Sequence, residues 1–89
     1  MVLENVKVIN ETGIHARPAS DFVHLANSFK SNITITNIKT NENANAKSIM
    51  SVLCLALVKG TEIEIKVEGE DEKEALSALV ALVNSGFGE

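Results

Sequence analysis

The residues best suited to chemistry lie in one stretch, Thr12-Gly13-Ile14-His15-Ala16-Arg17-Pro18-Ala19-Ser20, which holds the chain's only Arg, its only Pro and one of its two His residues. Pro is accepted in the first turn of a helix, where the backbone N–H has no intrahelical partner. Pro18 therefore predicts a helix start there, with His15 at or just before the first turn. The imidazole then stands beside free N–H groups near Ala16 and Arg17, at the positive end of a helix dipole. A guanidinium sits two residues away. This setting suits a phosphate or another small anion. A neutral imidazole nitrogen carries a lone pair that can attack phosphorus, and in-line phosphoryl transfer asks a protein mainly for positioning and charge stabilisation. Arg17 at a helix N-terminus is disfavoured by the dipole and so calls for an anionic counterpart. The hydroxyls of Thr12 and Ser20 lie near the same place, although turn and helix-surface roles suit them equally well.

The elements that must position these groups follow from periodicity. Val2 to Ile9 reads as a strand, with Val2, Val6 and Val8 on one face. Asn10 to Ile14 is a loop that flexes at Gly13. A helix then runs to about Phe29, with Ala19, Phe22, Val23, Ala26 and Phe29 as its buried stripe. Asp21, His24 and Asn27 lie off that stripe. Ile33 to Thr36 alternates as a second strand, and Thr40 to Asn45 is a turn with at most a short edge strand. Ser48 to Leu57 is a short apolar helix with Ser48 as N-cap, and Gly60 is its expected stop. Cys54 within it reads as a small core residue. Glu62 to Glu68 alternates strictly and forms the clearest strand. Glu70, Asp71, Glu72 and Glu74 open a last helix whose stripe is Ala75, Leu76, Leu79, Val80 and Val83, with Gly86 as its C-terminal cap. These elements predict a single two-layer α+β domain over residues 1–89.

Composition narrows the function. The chain has 89 residues, a formal charge of −4, three Phe and no Trp or Tyr. Such a core is built mostly from Ile, Val, Leu and Ala. Negative charge without a Lys/Arg run, and no aromatic platform for bases, argue against direct nucleic-acid binding. No segment is long and apolar enough to insert in a membrane, and the N-terminus lacks a signal-peptide pattern. One Cys points to a reducing compartment, so the expected location is the cytoplasm. His15 and His24 are not spaced as a helical metal pair. No Gly-rich nucleotide loop is present, so the chain is not expected to be a kinase.

Gly13-Ile14-His15-Ala16-Arg17-Pro18-Ala19 resembles the active-site signature of HPr, the histidine-containing phosphocarrier of the bacterial sugar phosphotransferase system. Lys47-Ser48-Ile49-Met50 falls where that family carries its regulatory serine, in a form similar to that of Gram-positive bacteria. The likeness spans nearly the whole chain. It implies an open-faced β-sandwich, with a four-stranded antiparallel sheet carrying three helices on one face. It also implies a covalent carrier, not an independent catalyst and needing no cofactor. His15 would accept a phosphoryl group on Nδ1 from enzyme I and pass it to sugar-specific enzyme IIA domains, with Arg17, Ala16 and Thr12 binding the phosphate. The resemblance further implies that Ser48 is phosphorylated by a dedicated kinase (HPr kinase/phosphorylase), which slows transfer at the histidine and creates a surface for a catabolite-control transcription factor. Ile49 and Met50, with Val52 or Leu53, flanked by Ser20 and Lys47, would form the docking patch. Nothing in the sequence requires self-association, so a monomer is expected.

The chain departs from the family pattern at Ser20 (usually Thr), at Ser51 (usually Gly in Gram-positive members) and in a longer 41–46 segment. His24 and Asn27 make the rim less basic than in relatives. Two alternatives are a regulatory binding module acting only through the serine, and a nitrogen-system relative that carries the same histidine. His15 argues against the first, and the Lys47 to Met50 string against the second.

Overall fold

The computed structural model describes all 89 residues. Four strands, β1 (Val2–Lys7), β2 (Asn32–Asn37), β3 (Glu42–Asn45) and β4 (Glu62–Glu68), form one sheet in the order β1-β4-β2-β3. Every pairing is antiparallel. Three helices complete the chain: α1 (Ala16–Asn27), α2 (Ile49–Cys54) and α3 (Glu72–Asn84). β4 was legible as the cleanest alternation because it is central. Its Ile63, Ile65 and Val67 face the helices, where all three are buried. They align with Val6, Glu4 and Val2 of β1 on one side and with Asn37, Ile35 and Ile33 of β2 on the other. One cluster of 21 buried apolar residues fills the space under the helices, and only Phe22 and Phe87 in it are aromatic. No helix is long and apolar enough to cross a membrane.

Several boundaries differ from expectation. β1 stops at Lys7, though Val8 still exchanges backbone bonds with Thr61 and Gly60. α1 ends at Asn27 with Ser28 as its cap, and Phe29 keeps its half-buried place beyond the helix. α2 is shorter than its apolar run. It ends at Cys54, and Ala56, not Gly60, takes the left-handed backbone that turns the chain, at φ +50°. Gly60 serves the later turn into β4. Ending the helix there faces Cys54 outward, so the thiol is exposed rather than core. Val52, Leu55 and Leu57 are the members of this run that are buried.

Asp71 also does something other than match a dipole. Its carboxylate accepts from the backbone N–H groups of Lys30 and Ser31, at 2.8 and 2.9 Å, and from the Ser31 hydroxyl. It therefore ties the start of α3 to the entry of β2. The Ser31 hydroxyl, with the Lys30 N–H next, lowers the Asp71 carboxyl to about 2.

Candidate functional site

His15 is the N-cap of α1, with extended backbone at φ −143° and ψ 155°, and its side chain makes no capping hydrogen bond. The imidazole is exposed. The first turn of a helix leaves its N–H groups without intrahelical acceptors. In α1 these are the N–H groups of Ala16 and Arg17, because the third position is Pro18, which has none. Ala16 stands at φ +48°, a left-handed conformation that costs a non-glycine residue about 1 kcal/mol or more. Strain at this point bends the chain sharply between the loop and the helix.

Two contacts hold the loop. Gly13, at φ +69°, lets the chain lie directly against Leu57 and Val58, where a Cβ would fall 2.4 Å from the Leu57 carbonyl oxygen. Ile14 then donates to that same carbonyl at 2.8 Å. From inside the turn, the buried Asn10 Nδ2 donates to the Gly13 carbonyl at 2.8 Å.

Arg17 is almost fully exposed, and its nearest carboxylate is Asp21, one helical turn on, with Nε to Oδ2 at 3.8 Å. The Thr12 hydroxyl is turned towards Glu89, its one proton shared between or given to either of Oε1 and Oε2, at 3.1 and 3.2 Å. Sequence reasoning missed Asn10, Asp21 and Glu89. Asp21 sits at the i,i+4 position from Arg17, which was a readable signal. The Thr12–Glu89 contact joins residues 77 apart, and only the folded chain brings them together.

Ser48 caps α2, its hydroxyl accepting from Ser51 N at 3.4 Å. The preceding Lys47 is tied into the fold. Its Nζ donates to the Phe29 carbonyl at 2.7 Å, while Asn27 Nδ2 donates to the Lys47 carbonyl at 3.0 Å. The start of α2 therefore lies beside the end of α1. His15 stands at the start of α1 and Ser48 next to Lys47, which bonds to the other end of that 12-residue helix, itself about 18 Å long at 1.5 Å per residue. Between them Ile49 and Met50 are exposed and Leu53 is half-buried, while Ser20 is exposed on α1. No group of three or more His, Cys, Asp or Glu side chains is placed to hold a metal ion.

The fold is a small α+β sandwich, and at a strained helix entry it sets an exposed imidazole beside free N–H donors and a guanidinium, groups of the kind that suit a small anion. A family model described as "PTS HPr component phosphorylation site" matches residues 2–85. The chain belongs to the HPr family. It is 43% identical to the phosphocarrier protein HPr of Neisseria meningitidis, over the whole chain and 98% of that relative. It is also 40% identical to phosphocarrier protein NPr of Escherichia coli, across 99% of this chain and 97% of NPr. The HPr-like protein Crh of Bacillus subtilis is 46% identical, across 93% of this chain and 95% of Crh. Among solved structures, HPr-C-His from Thermoanaerobacter tengcongensis superposes with a TM-score of 0.95 at 44% identity, covering 100% of this chain and 98% of that one. The open-faced, three-helix arrangement is that of the family.

Proposed function

We propose that this chain is a phosphoryl carrier of the phosphotransferase system, loaded on His15 by phosphorylated enzyme I and unloaded onto enzyme IIA domains for sugar uptake. The observation that carries the reading is the free, exposed His15 imidazole at the entry of α1, with the Ala16 and Arg17 N–H groups beside it. In the transfer, an imidazole nitrogen's lone pair forms a bond to phosphorus as the phosphorus–donor bond breaks, and that electron pair leaves with the donor. The two N–H groups, the Arg17 guanidinium and the Thr12 hydroxyl are assigned to the phosphoryl oxygens. The chain supplies a nucleophile and a cradle, and its partners supply the rest of the catalysis.

Ser48 is assigned as the regulatory phosphorylation site, with an HPr kinase/phosphorylase and a catabolite-control transcription factor as the expected partners. Ser48 lies beside the far end of α1 from His15, and that helix, about 18 Å long from its rise, exceeds the physiological screening length of about 8 Å. A phosphate on Ser48 would therefore act by changing the surface that a partner touches, not by touching the histidine. Ile49, Met50, Leu53 and Ser20 form that surface, with Lys47 bracing its edge. An exposed thiol at Cys54 fits a reducing compartment, so we place the protein in the cytoplasm. The carrier is assigned as a monomer.

Intact mass after incubation with phosphoenolpyruvate, Mg²⁺ and enzyme I tests the reading. One acid-labile phosphoryl group that His15→Ala abolishes is the expected result. NPr and Crh are as similar to this chain as HPr is, so two other outcomes have meaning. No adduct with a competent enzyme I would transfer the assignment to a nitrogen-system carrier with its own donor, or to a module acting through Ser48 alone.

A further inference from the structure

Asn10 holds Gly13 from two directions. Its backbone carbonyl accepts from Gly13 N at 3.1 Å, and its side-chain Nδ2 donates back to the Gly13 carbonyl at 2.8 Å. One residue therefore bonds both backbone groups of Gly13. The side chain does this out of reach of solvent and of any partner, since Asn10 is 5% exposed and Gly86, in the turn after α3, packs over it.

The amide can point only one way. Nδ2 faces the Gly13 carbonyl, Thr12 Oγ1 at 3.2 Å and Glu89 Oε1 at 3.4 Å, while Oδ1 faces no protein donor. A carbonyl and a carboxylate only accept, so a reversed amide would set oxygen against oxygen. The position thus calls for a neutral donor of this length. Ala has no donor, and Asp has one only while it is protonated.

What Gly13 controls is His15, two residues on. Ile14 between them is fixed on the Leu57 carbonyl at 2.8 Å, and Ala16 just beyond holds left-handed backbone at φ +48°. A non-glycine residue keeps such a conformation only where its surroundings impose it. On the loop side, the bonds that impose it are those to Leu57 and to Asn10. Without the Asn10 amide, the Gly13 carbonyl is free to rotate, and the imidazole is no longer fixed against the Ala16 and Arg17 N–H groups.

We propose that Asn10 is a positioning residue for phosphoryl transfer, a role that rests on the phosphohistidine reading above. It sets the place of His15 through Gly13 and touches neither the phosphoryl group nor the donor protein. A displaced nucleophile reacts slowly without binding its partner less well. The loss should therefore fall on kcat and not on KM.

The test is steady-state phosphorylation of the full-length chain by enzyme I with phosphoenolpyruvate and Mg²⁺, below the unfolding midpoint of every variant. N10A is expected to lower kcat about ten- to a hundredfold, the effect of a small displacement at a reacting centre, with KM changed by less than about twofold. N37A is the control for a plain structural loss. Asn37 is also buried, its Oδ1 accepts from Lys39 N at 3.1 Å, and it makes no bond to the loop of His15. N37A should lower Tm and leave kcat unchanged. N10D is the conservative variant. Burial and the Glu89 carboxylate, the one charged side chain bonded to Asn10, would hold the new carboxyl protonated above its usual range. Only the protonated acid can donate to Gly13, so kcat of N10D relative to the unaltered chain should recover as pH falls from about 8 to about 5.5, while the ratio for N10A stays flat. A kcat for N10A within about twofold of the unaltered chain, a loss confined to KM, an equal fall in N37A, or an N10D ratio indifferent to pH overturns the proposal. Failure of the unaltered chain to be phosphorylated at all would instead remove the phosphohistidine reading, and this role with it.

Discussion

Replacing Gly13 by Ala should be among the most damaging single-methyl changes in the molecule, and the structure says by how much. An added Cβ meets the Leu57 carbonyl oxygen at 2.4 Å and Val58 Cα at 2.9 Å, and both are backbone atoms that cannot rotate aside. The backbone sits at φ +69°, where Ala costs about 1 kcal/mol relative to Gly. Relieving the overlap requires a backbone shift of the kind that costs about 1–3 kcal/mol in packed sites. The shift also strains the 2.8 Å bond from Ile14 N to the same carbonyl, a contribution of about 1 kcal/mol. The total expected loss is about 3–5 kcal/mol, or about 16–27 °C in Tm for a domain this size. Gly60→Ala is the internal control. Gly60 also has a positive φ, +91°, but nothing lies within 4 Å of its added Cβ. Only the backbone term applies there, so about 1 kcal/mol and about 5 °C are expected. Thermal unfolding of the two variants side by side measures the difference. Below both midpoints, Gly13→Ala should also slow phosphorylation by enzyme I, because the loop carries His15, while Gly60→Ala should not. Equal losses of Tm in the two variants would refute the packing argument.

Three further outcomes are expected. The Asp71 carboxyl is lowered to about 2 by the Ser31 hydroxyl and the Lys30 N–H, so its contribution to stability is complete above the unfolded value of about 3.9 and is lost as pH falls towards 2. Asp71→Asn should therefore shrink the difference in Tm between pH 6 and about pH 2.5, read by circular dichroism; an unchanged acid limb would count against the assigned bonds. Ser48→Ala removes the cap of α2, and because the bond to Ser51 N is long at 3.4 Å the loss should sit near the lower end of the usual range, about 0.5 kcal/mol by denaturant titration. Cys54 is exposed, so one thiol should react with an aromatic disulfide reagent in the native protein without prior unfolding. Reaction only after denaturation would restore the core placement.

Much of the site was legible because its signals are local. Pro18 near the start of a helix, His15 just ahead of it and Ser48 as a cap depend on residues within one turn of each other. The strands were legible because β2 and β4 are buried on one face only, and one-sided burial writes itself as alternation. Cys54 was misplaced for the opposite reason. A short run that is apolar nearly all round carries no phase, so which side faces inward depends on where the helix stops. That stop is set by Ala56 taking a left-handed backbone, a choice no local residue preference announces.

By itself, then, the amino-acid order determined the elements, the apolar faces and the place of the candidate histidine at a helix start, since each follows from short-range periodicity and chain stereochemistry. Only the tertiary structure decided the strand order, the docking of the histidine loop onto Leu57 and Val58, the capture of Lys30 and Ser31 by Asp71, and the meeting of Thr12 with Glu89. Those contacts join residues about 40 to 77 apart. Partners so distant are selected by how the whole core packs, because no local preference distinguishes one exposed carboxylate from another until the fold has placed it beside a donor.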